Sequence, residues 1–390
     1  MEASTSNLLL VPPICTATLY SGPTPVQYLK TRVSAIVTAN PWLAGRLRRE
    51  GCGSPYLAVP ARPTQEYFLV CSAALKMSDS LTCTGIIDHV LRSEAVIRCG
   101  LAALNCDEVL FRVAVVPAGT EHFLVVMSLN HTIGDGFTFY KLYAMLDPEV
   151  QVSKMNPVRQ PGFSKAARMV VGHQQFEWLT SWPTLLGLLR SFCLWTPPLP
   201  QLRKVDPDYV SHGKTVNGGA VSTNDVLTSL LLKSSRFGYG YMSINLRNRG
   251  LEVTGDNAGN YLHRVALWAS DFADPSGVRR VLSRAQRQGN KEGHKVPNCW
   301  ESMTMRHGLV SNWAGLYHDV ALPGSAQLLH LPVLAHPQPG FGFFIIFRPR
   351  RDELAVYCTV RDKEAMTELM ASPLFGAPLD PSPGYTDACA

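Results

Sequence analysis

Cysteine pairs at metal-binding spacing are missing from this 390-residue chain. Its ten cysteines are scattered from Cys15 to Cys389, and none forms Cys-x-x-Cys or a Cys/His zinc spacing. That sets aside a metal centre and a disulfide framework, leaving free thiols in a reducing cytoplasm as the expectation. Charge is sparse too. Only 17% of residues are charged, and 36 Lys+Arg against 30 Asp+Glu leave a net +6. Such an excess is too small to argue for a nucleic-acid partner, though it is compatible with a phosphorylated cofactor. No apolar run reaches the ~20 residues of a membrane span. The most apolar segment, Trp178 to Leu199, is interrupted by Pro183 and Arg190. It is expected to be a packed inter-domain helix, and membrane contact through 178–199 is not favoured. No basic flank precedes Leu8-Leu9-Leu10-Val11, and Pro12-Pro13 end that run, so no secretory signal is expected. There is no Gly-x-Ser-x-Gly elbow to present a nucleophilic serine.

What is present is an apolar, globular chain. Hydrophobic residues make up 46%, ample for a core, and the length suits two or three domains. Helical spacing covers 25–38, where Val26, Leu29, Val33, Ile36 and Val37 recur before Asn40-Pro41. Further helices are expected over 86–97, 137–146 and 277–288, and another opens at Ser222-Thr223. Strands are expected over 67–71, 110–116, 121–129, 240–246, 341–347 and 354–360, the second and third joined by the turn Pro117-Ala118-Gly119-Thr120. The proline-rich stretch from Trp195 to Pro207 divides two α+β halves of similar size. The expected organisation is a first half over 1–177, a linker over 178–207, a second half over 208–371 and a disordered tail over 372–390. A site needing both halves would lie between them.

Chemistry concentrates in Asn130-His131-Thr132-Ile133-Gly134-Asp135-Gly136, directly after the apolar run Phe123 to Leu129. A histidine delivered at the end of a strand and followed by an Asp-Gly turn is what a fixed general base requires. The strand supplies rigidity, and Gly134 and Gly136 are expected to let the backbone turn sharply. An imidazole with an ordinary pKa near ~6.5 suits proton transfer at neutral pH.

With this motif on the page, the chain resembles the histidine-dependent acyl-CoA transferases of the chloramphenicol acetyltransferase fold. They include BAHD acyltransferases, trichothecene acetyltransferases, wax ester synthases and peptide-synthetase condensation domains. Their His-x-x-x-Asp-Gly motif is matched by His131, Asp135 and Gly136. Four other segments follow the expected order: Asn40 to Leu47, Ser222 to Leu227, Asn245-Leu246-Arg247-Asn248-Arg249 with Gly259-Asn260, and Val310-Ser311-Asn312-Trp313. Two departures stand out. Plant-type BAHD enzymes carry Asp-Phe-Gly-Trp-Gly where this chain has Ala321 to Ser325, and condensation domains and wax ester synthases usually have a second histidine where this chain has Asn130.

The resemblance implies an α+β fold of two chloramphenicol acetyltransferase-like subdomains, each a mixed sheet with packed helices. It implies an acyltransferase with His131 as general base, acyl-CoA as co-substrate, and a small-molecule alcohol or amine as acceptor. No permanently bound cofactor and no metal are expected, and the chain is expected to be a cytoplasmic monomer. In this resemblance Asp135 turns away from the histidine and braces the loop through an arginine, Arg247 or else Arg249. Ser311 and Trp313 are the implied oxyanion donors, against an equally ordinary role as a strand serine and a core tryptophan. A condensation-type domain acting on carrier-protein thioesters, or a non-catalytic scaffold on the same fold, are the alternatives.

Overall fold

The computed structural model describes residues 8–61, 67–78, 80–160, 162–193, 200–249, 252–284, 297–334 and 342–381. Among the described residues, six strands precede residue 130: β1 (Ile14–Ser21), β2 (Arg46–Arg48), β3 (Tyr56–Ala58), β4 (Phe68–Val70), β5 (Phe111–Pro117) and β6 (His122–Leu129). The rest of the chain supplies β7 (Gln201–Val205), β8 (Tyr239–Asn245), β9 (Leu262–Trp268) and β10 (His307–Asn312). After these come β11 (Ala326–Val333), β12 (Gly342–Phe347), β13 (Ala355–Val360) and β14 (Phe375–Pro378). Apart from the short β2–β3 pair, they form a five-stranded sheet in the order β11-β1-β6-β5-β4 and a seven-stranded sheet in the order β14-β7-β13-β12-β10-β8-β9.

The central strand β6 is buried from Phe123 through Leu129 because it lies between β1 and β5 with both faces covered. That explains why its sequence is a continuous apolar run rather than an alternating one. The helix Val26–Ala39 buries Leu29, Val33, Ile36 and Val37. It stops at Asn40, whose amide donates to the carbonyls of Ile36 (3.1 Å) and Ser153 (3.0 Å). The helix expected over 86–97 instead runs Cys83–Arg92. Thr82 caps its start by accepting from the Gly85 N–H, and Ser93 ends it by donating to the Val90 carbonyl. Capping polar groups, not apolar spacing, set both ends.

The seven-stranded sheet has two differently clothed faces. Phe344 and Ile346 of β12 pack with Val310, Val265 and Leu231 beneath helices, whereas Phe343, Ile345 and Phe347 join the core of the first half. Alternate residues of one strand thus serve two cores, as the period-2 pleat dictates. His307, Leu309 and Ser311 share the second face.

Three expected boundaries are corrected. The segment 178–207 is not merely a linker: it holds the helix Trp182–Cys193 and β7, which sits inside the larger sheet between β14 and β13. Gly187 allows that helix to press on the helix Cys299–Thr304, since a Cβ there would stand 2.4 Å from the Ser302 carbonyl oxygen. The tail expected to be disordered from 372 contributes β14, while 382–390 lie outside the described residues. And β11, from the second half of the sequence, completes the first sheet by pairing with β1. No helix among the described residues is long and apolar enough to cross a membrane.

Candidate active site

His131 stands one turn beyond the end of β6. Asn130 makes that turn: its side-chain oxygen accepts from the Thr132 N–H (3.0 Å) and hydroxyl (2.7 Å), and its amide donates to the Arg98 carbonyl (2.9 Å). The departure noted at this position is therefore a structural side chain tying down the loop.

The imidazole itself is half-buried, and Nδ1 lies 3.1 Å from Asn260 Oδ1. The orientation of Asn260 is fixed by its own NH₂, which meets the His131 carbonyl at 2.8 Å. Its oxygen must then face the ring, so Nδ1 carries the proton and donates. Nε2 is left with the basic lone pair, and among the described residues no group hydrogen-bonds to it. Burial lowers the pKa of His131 below its ordinary value, only partly offset by its backbone hydrogen bond, Asp135 and Asn260. The ring is neutral and able to accept a proton at pH 7.

Asp135 does not touch His131. One carboxylate oxygen accepts from the Thr138 N–H (3.0 Å), capping the helix Gly136–Ala144, and from the Thr138 hydroxyl (3.0 Å). It also receives Arg247 Nη2 at 3.1 Å. The other accepts from Arg247 Nη1 (2.7 Å) and the Tyr261 N–H (2.9 Å). The ion pair is sealed, with side chains 1% and 2% exposed. Arg247 also donates to the carbonyls of Asn257 (3.2 Å) and Gly259 (3.0 Å), between the rings of Phe137 and Tyr261. Arg249, the other arginine considered, is exposed and lies elsewhere.

The glycines act differently from expectation. Neither Gly134 nor Gly136 has a positive φ. Gly134 is required by packing: a Cβ there would meet Leu129 at 2.8 Å and Thr138 at 2.9 Å. At Gly136 a Cβ would make only an ordinary 3.6 Å contact with Leu316. The conformationally demanding glycine is Gly259, at φ +136°, where a Cβ would fall 1.4 Å from an Arg159 nitrogen. Arg159 in turn clamps the turn by donating to the Ile133 (3.2 Å) and Ala258 (3.2 Å) carbonyls.

Ser311 and Trp313 are brought together, but not as two parallel donors. Trp313 Nε1–H donates to Ser311 Oγ at 3.0 Å. The indole proton is thus spent on the serine, and the serine O–H is the one donor left for a ligand. Trp313 rests edge-on against Tyr140, whose hydroxyl meets His330 Nε2 at 3.1 Å; Thr18 meets Nδ1 at 2.9 Å. Asn260 could have been suspected from the Gly-Asn pair after Arg247. Arg159, Tyr140 and His330 carry no local signal, because their partners lie far away in sequence.

The fully buried His330 has its pKa pushed down to about 3 by burial, and His307 to about 4 mainly by burial. Both folded values lie below the ordinary ~6.5, so the unfolded chain takes up protons first as pH falls. Stability should be complete above ~6.5 and decline between there and the folded values, by about 1.4 kcal/mol per pH unit for each histidine. Denaturant unfolding at pH 7 and pH 5 measures this, and equal stability at the two pH values would contradict it.

A pocket of about 230 Å³ opens beside β8 at the start of the helix Thr223–Ser234. Ser222, Asn224, Arg249 and Arg279 line it, with Arg279 bound to Asp225 at 2.7 Å. Asn312, next to Ser311, donates to Asn224 at 2.8 Å and so ties the pocket to the strand of the site. Its arginines and hydroxyl could hold a phosphorylated cofactor. Among the described residues no cluster of three or more His, Cys, Asp or Glu could hold a metal ion.

No family profile matches this chain, and no curated protein matches it in sequence. Solved structures do match in shape. The first condensation domain of the CDA synthetase superposes with a TM-score of 0.62 at 13% identity, covering 95% of this chain and 93% of that one. F. sporotrichioides TRI101, complexed with coenzyme A and T-2, gives 0.61 at 14% identity over 94% of both chains. Polyketide synthase associated protein 5 from Mycobacterium tuberculosis gives 0.60 at 12% identity over 95% of both. The chain therefore has the two-lobed chloramphenicol acetyltransferase-like fold that these structures share.

Proposed function

We propose that this protein is an acyltransferase that moves an acyl group from a thioester to a hydroxyl or amine acceptor in a ternary complex. One observation carries this: an imidazole whose Nδ1–H is held by Asn260 and whose Nε2 is open. Nε2 takes the acceptor's proton as its oxygen or nitrogen attacks the thioester carbonyl. The carbonyl oxygen gains charge and accepts from the Ser311 hydroxyl, itself polarised by the Trp313 N–H. Collapse breaks the C–S bond, and the departing thiolate recovers the proton from His131. The thioester is already activated, so no covalent acyl-enzyme is needed.

Acyl-CoA is the favoured donor. TRI101 binds coenzyme A in this fold, and the Arg249–Arg279 pocket offers positive charge for the phosphates. Condensation domains share the fold equally well, so a carrier-protein thioester is the second donor class to test. We place the activity in a cytoplasmic monomer, in keeping with the free thiols of the described cysteines. The deciding experiment follows thiol release from acyl-CoA with a panel of alcohols and amines. Initial-rate plots against both substrates should intersect; parallel lines, or an acylated protein in the mass spectrum, would rule out direct transfer.

Ser311→Ala should lower kcat by about 10²-fold with little change in KM, since its donor acts mainly on the developing oxyanion. Trp313→Phe should have a smaller effect of the same kind, because the indole acts through Ser311. Weaker donor binding at unchanged kcat would instead make these residues part of the substrate pocket.

A further inference from the structure

The chain from Ser153 to Arg159 lies outside the helices and strands, yet it joins the two loops that meet at His131. Asn40 holds its start, with an amide that donates to the Ser153 carbonyl (3.0 Å) and an oxygen that accepts from the Met155 N–H (2.8 Å). Asn156 then forms a parallel bridge with Asn257. Its N–H donates to the Asp256 carbonyl and its carbonyl accepts from the Ala258 N–H, both at 2.8 Å. The Val158 carbonyl accepts from the Tyr261 hydroxyl at 3.2 Å. The first half is thereby stitched to the loop that carries Asn260, the partner of His131.

Arg159 completes the stitch. Its Nη1 donates to the Ala258 carbonyl (3.2 Å), two residues before Asn260. Its Nη2 donates to the carbonyls of Thr132 (3.4 Å) and Ile133 (3.2 Å), one and two residues after His131. One rigid, planar group thus spans both loops and sets the distance between them. The Asp135–Arg247 pair cannot do the same, because it fixes the far end of the motif, where Gly136 opens the helix. The bond that depends on this distance runs from Nδ1 of His131 to Asn260 Oδ1, now 3.1 Å. It is lost beyond roughly 3.5 Å, so a drift of about half an ångström between the loops frees the ring.

We propose that Arg159 is a positioning residue for the base: it holds the Asn260 loop against the motif turn, so that His131 keeps its proton on Nδ1 and its lone pair on Nε2. This rests on the acyl-transfer proposal for its effect on turnover, whereas the tautomer can be read without any substrate. Histidine-selective isotope labelling and NMR of the ring nitrogens at neutral pH report which nitrogen carries the proton, and His131→Ala identifies the signals. The native protein should show one tautomer, protonated at Nδ1. Arg159→Met should give a mixture of tautomers, lower kcat by ~10²-fold and leave the KM for acyl-CoA within about 2-fold of native. Arg159→Lys keeps the charge but offers one nitrogen to carbonyls on two loops, so a loss of about 10-fold is expected. Asn260→Ala should reproduce the Arg159→Met values, and adding Arg159→Met to it should cost little more, since both act on one bond. A folded Arg159→Met with the native tautomer overturns the proposal, and if that variant does not fold, the same result in Arg159→Lys does so. Losses that multiply in the double variant overturn it as well. Mixed tautomers at unchanged turnover would uphold Arg159 as the holder of the ring and count against His131 as the base, so the two proposals can fail separately.

Discussion

His131→Ala is expected to lower kcat by ~10²–10⁴-fold and leave the fold intact. Among the described residues the ring's side-chain partner is Asn260, and that asparagine keeps its own bond to the His131 backbone carbonyl when the ring is gone. Little stability therefore depends on the imidazole, whereas the proton-accepting Nε2 has no substitute nearby. The pH dependence gives a second measurement. Burial holds the ring's pKa below the ordinary value of ~6.5. kcat/KM should rise with pH, inflect below that value and stay flat through neutrality. Near-normal turnover by the purified variant would remove His131 from the mechanism.

Asp135→Asn should act in the opposite way, first on the fold and through it on activity. The carboxylate receives two Arg247 nitrogens, two backbone N–H groups and the Thr138 hydroxyl. An amide turns one of these acceptors into a donor aimed at other donors, and it leaves a buried guanidinium without its counter-charge. Breaking such a pair costs about 3–5 kcal/mol. For a chain of this length that corresponds to a fall in melting temperature of about 4–6 °C. Combining it with Arg247→Met should recover part of the loss, since the uncompensated charge is removed as well. A single variant of native stability without activity would instead favour a direct catalytic role for Asp135.

Local features of this site were legible in the sequence, and distant ones were not. The run Phe123–Leu129, the motif after it and the helix from Gly136 are contiguous, so pattern alone marks them. The pairing of Asp135 with Arg247 was reached only through resemblance, because nothing near either residue states that they meet. Gly134 was placed correctly but for the wrong reason: backbone conformation was expected, and packing against Leu129 and Thr138 is what excludes a side chain. That the Trp313 N–H is held by Ser311 Oγ could not be read from the sequence, because that bond depends on a local rotamer, not on composition. β7 and β14 were hidden for a different reason. Each gains its place in the sheet from partners far along the chain, β7 lying against β13 and β14 at once.

The pairing of β11 with β1 bears on how the molecule is made. Cys15 is paired with Val333, and the register continues to Ser21 with Ala326. During synthesis, β1 can dock on β6 once about a third of the chain has emerged, but its other edge stays open until β11 has been translated. At ~5–20 residues per second, the roughly 200 residues in between take on the order of 10–40 seconds. Throughout that interval a long, apolar strand edge is offered to any other nascent chain. Closing so long a loop is also entropically slow. Yield in the cell should accordingly depend on chaperone supply and on growth temperature more than the stability of the finished fold would suggest.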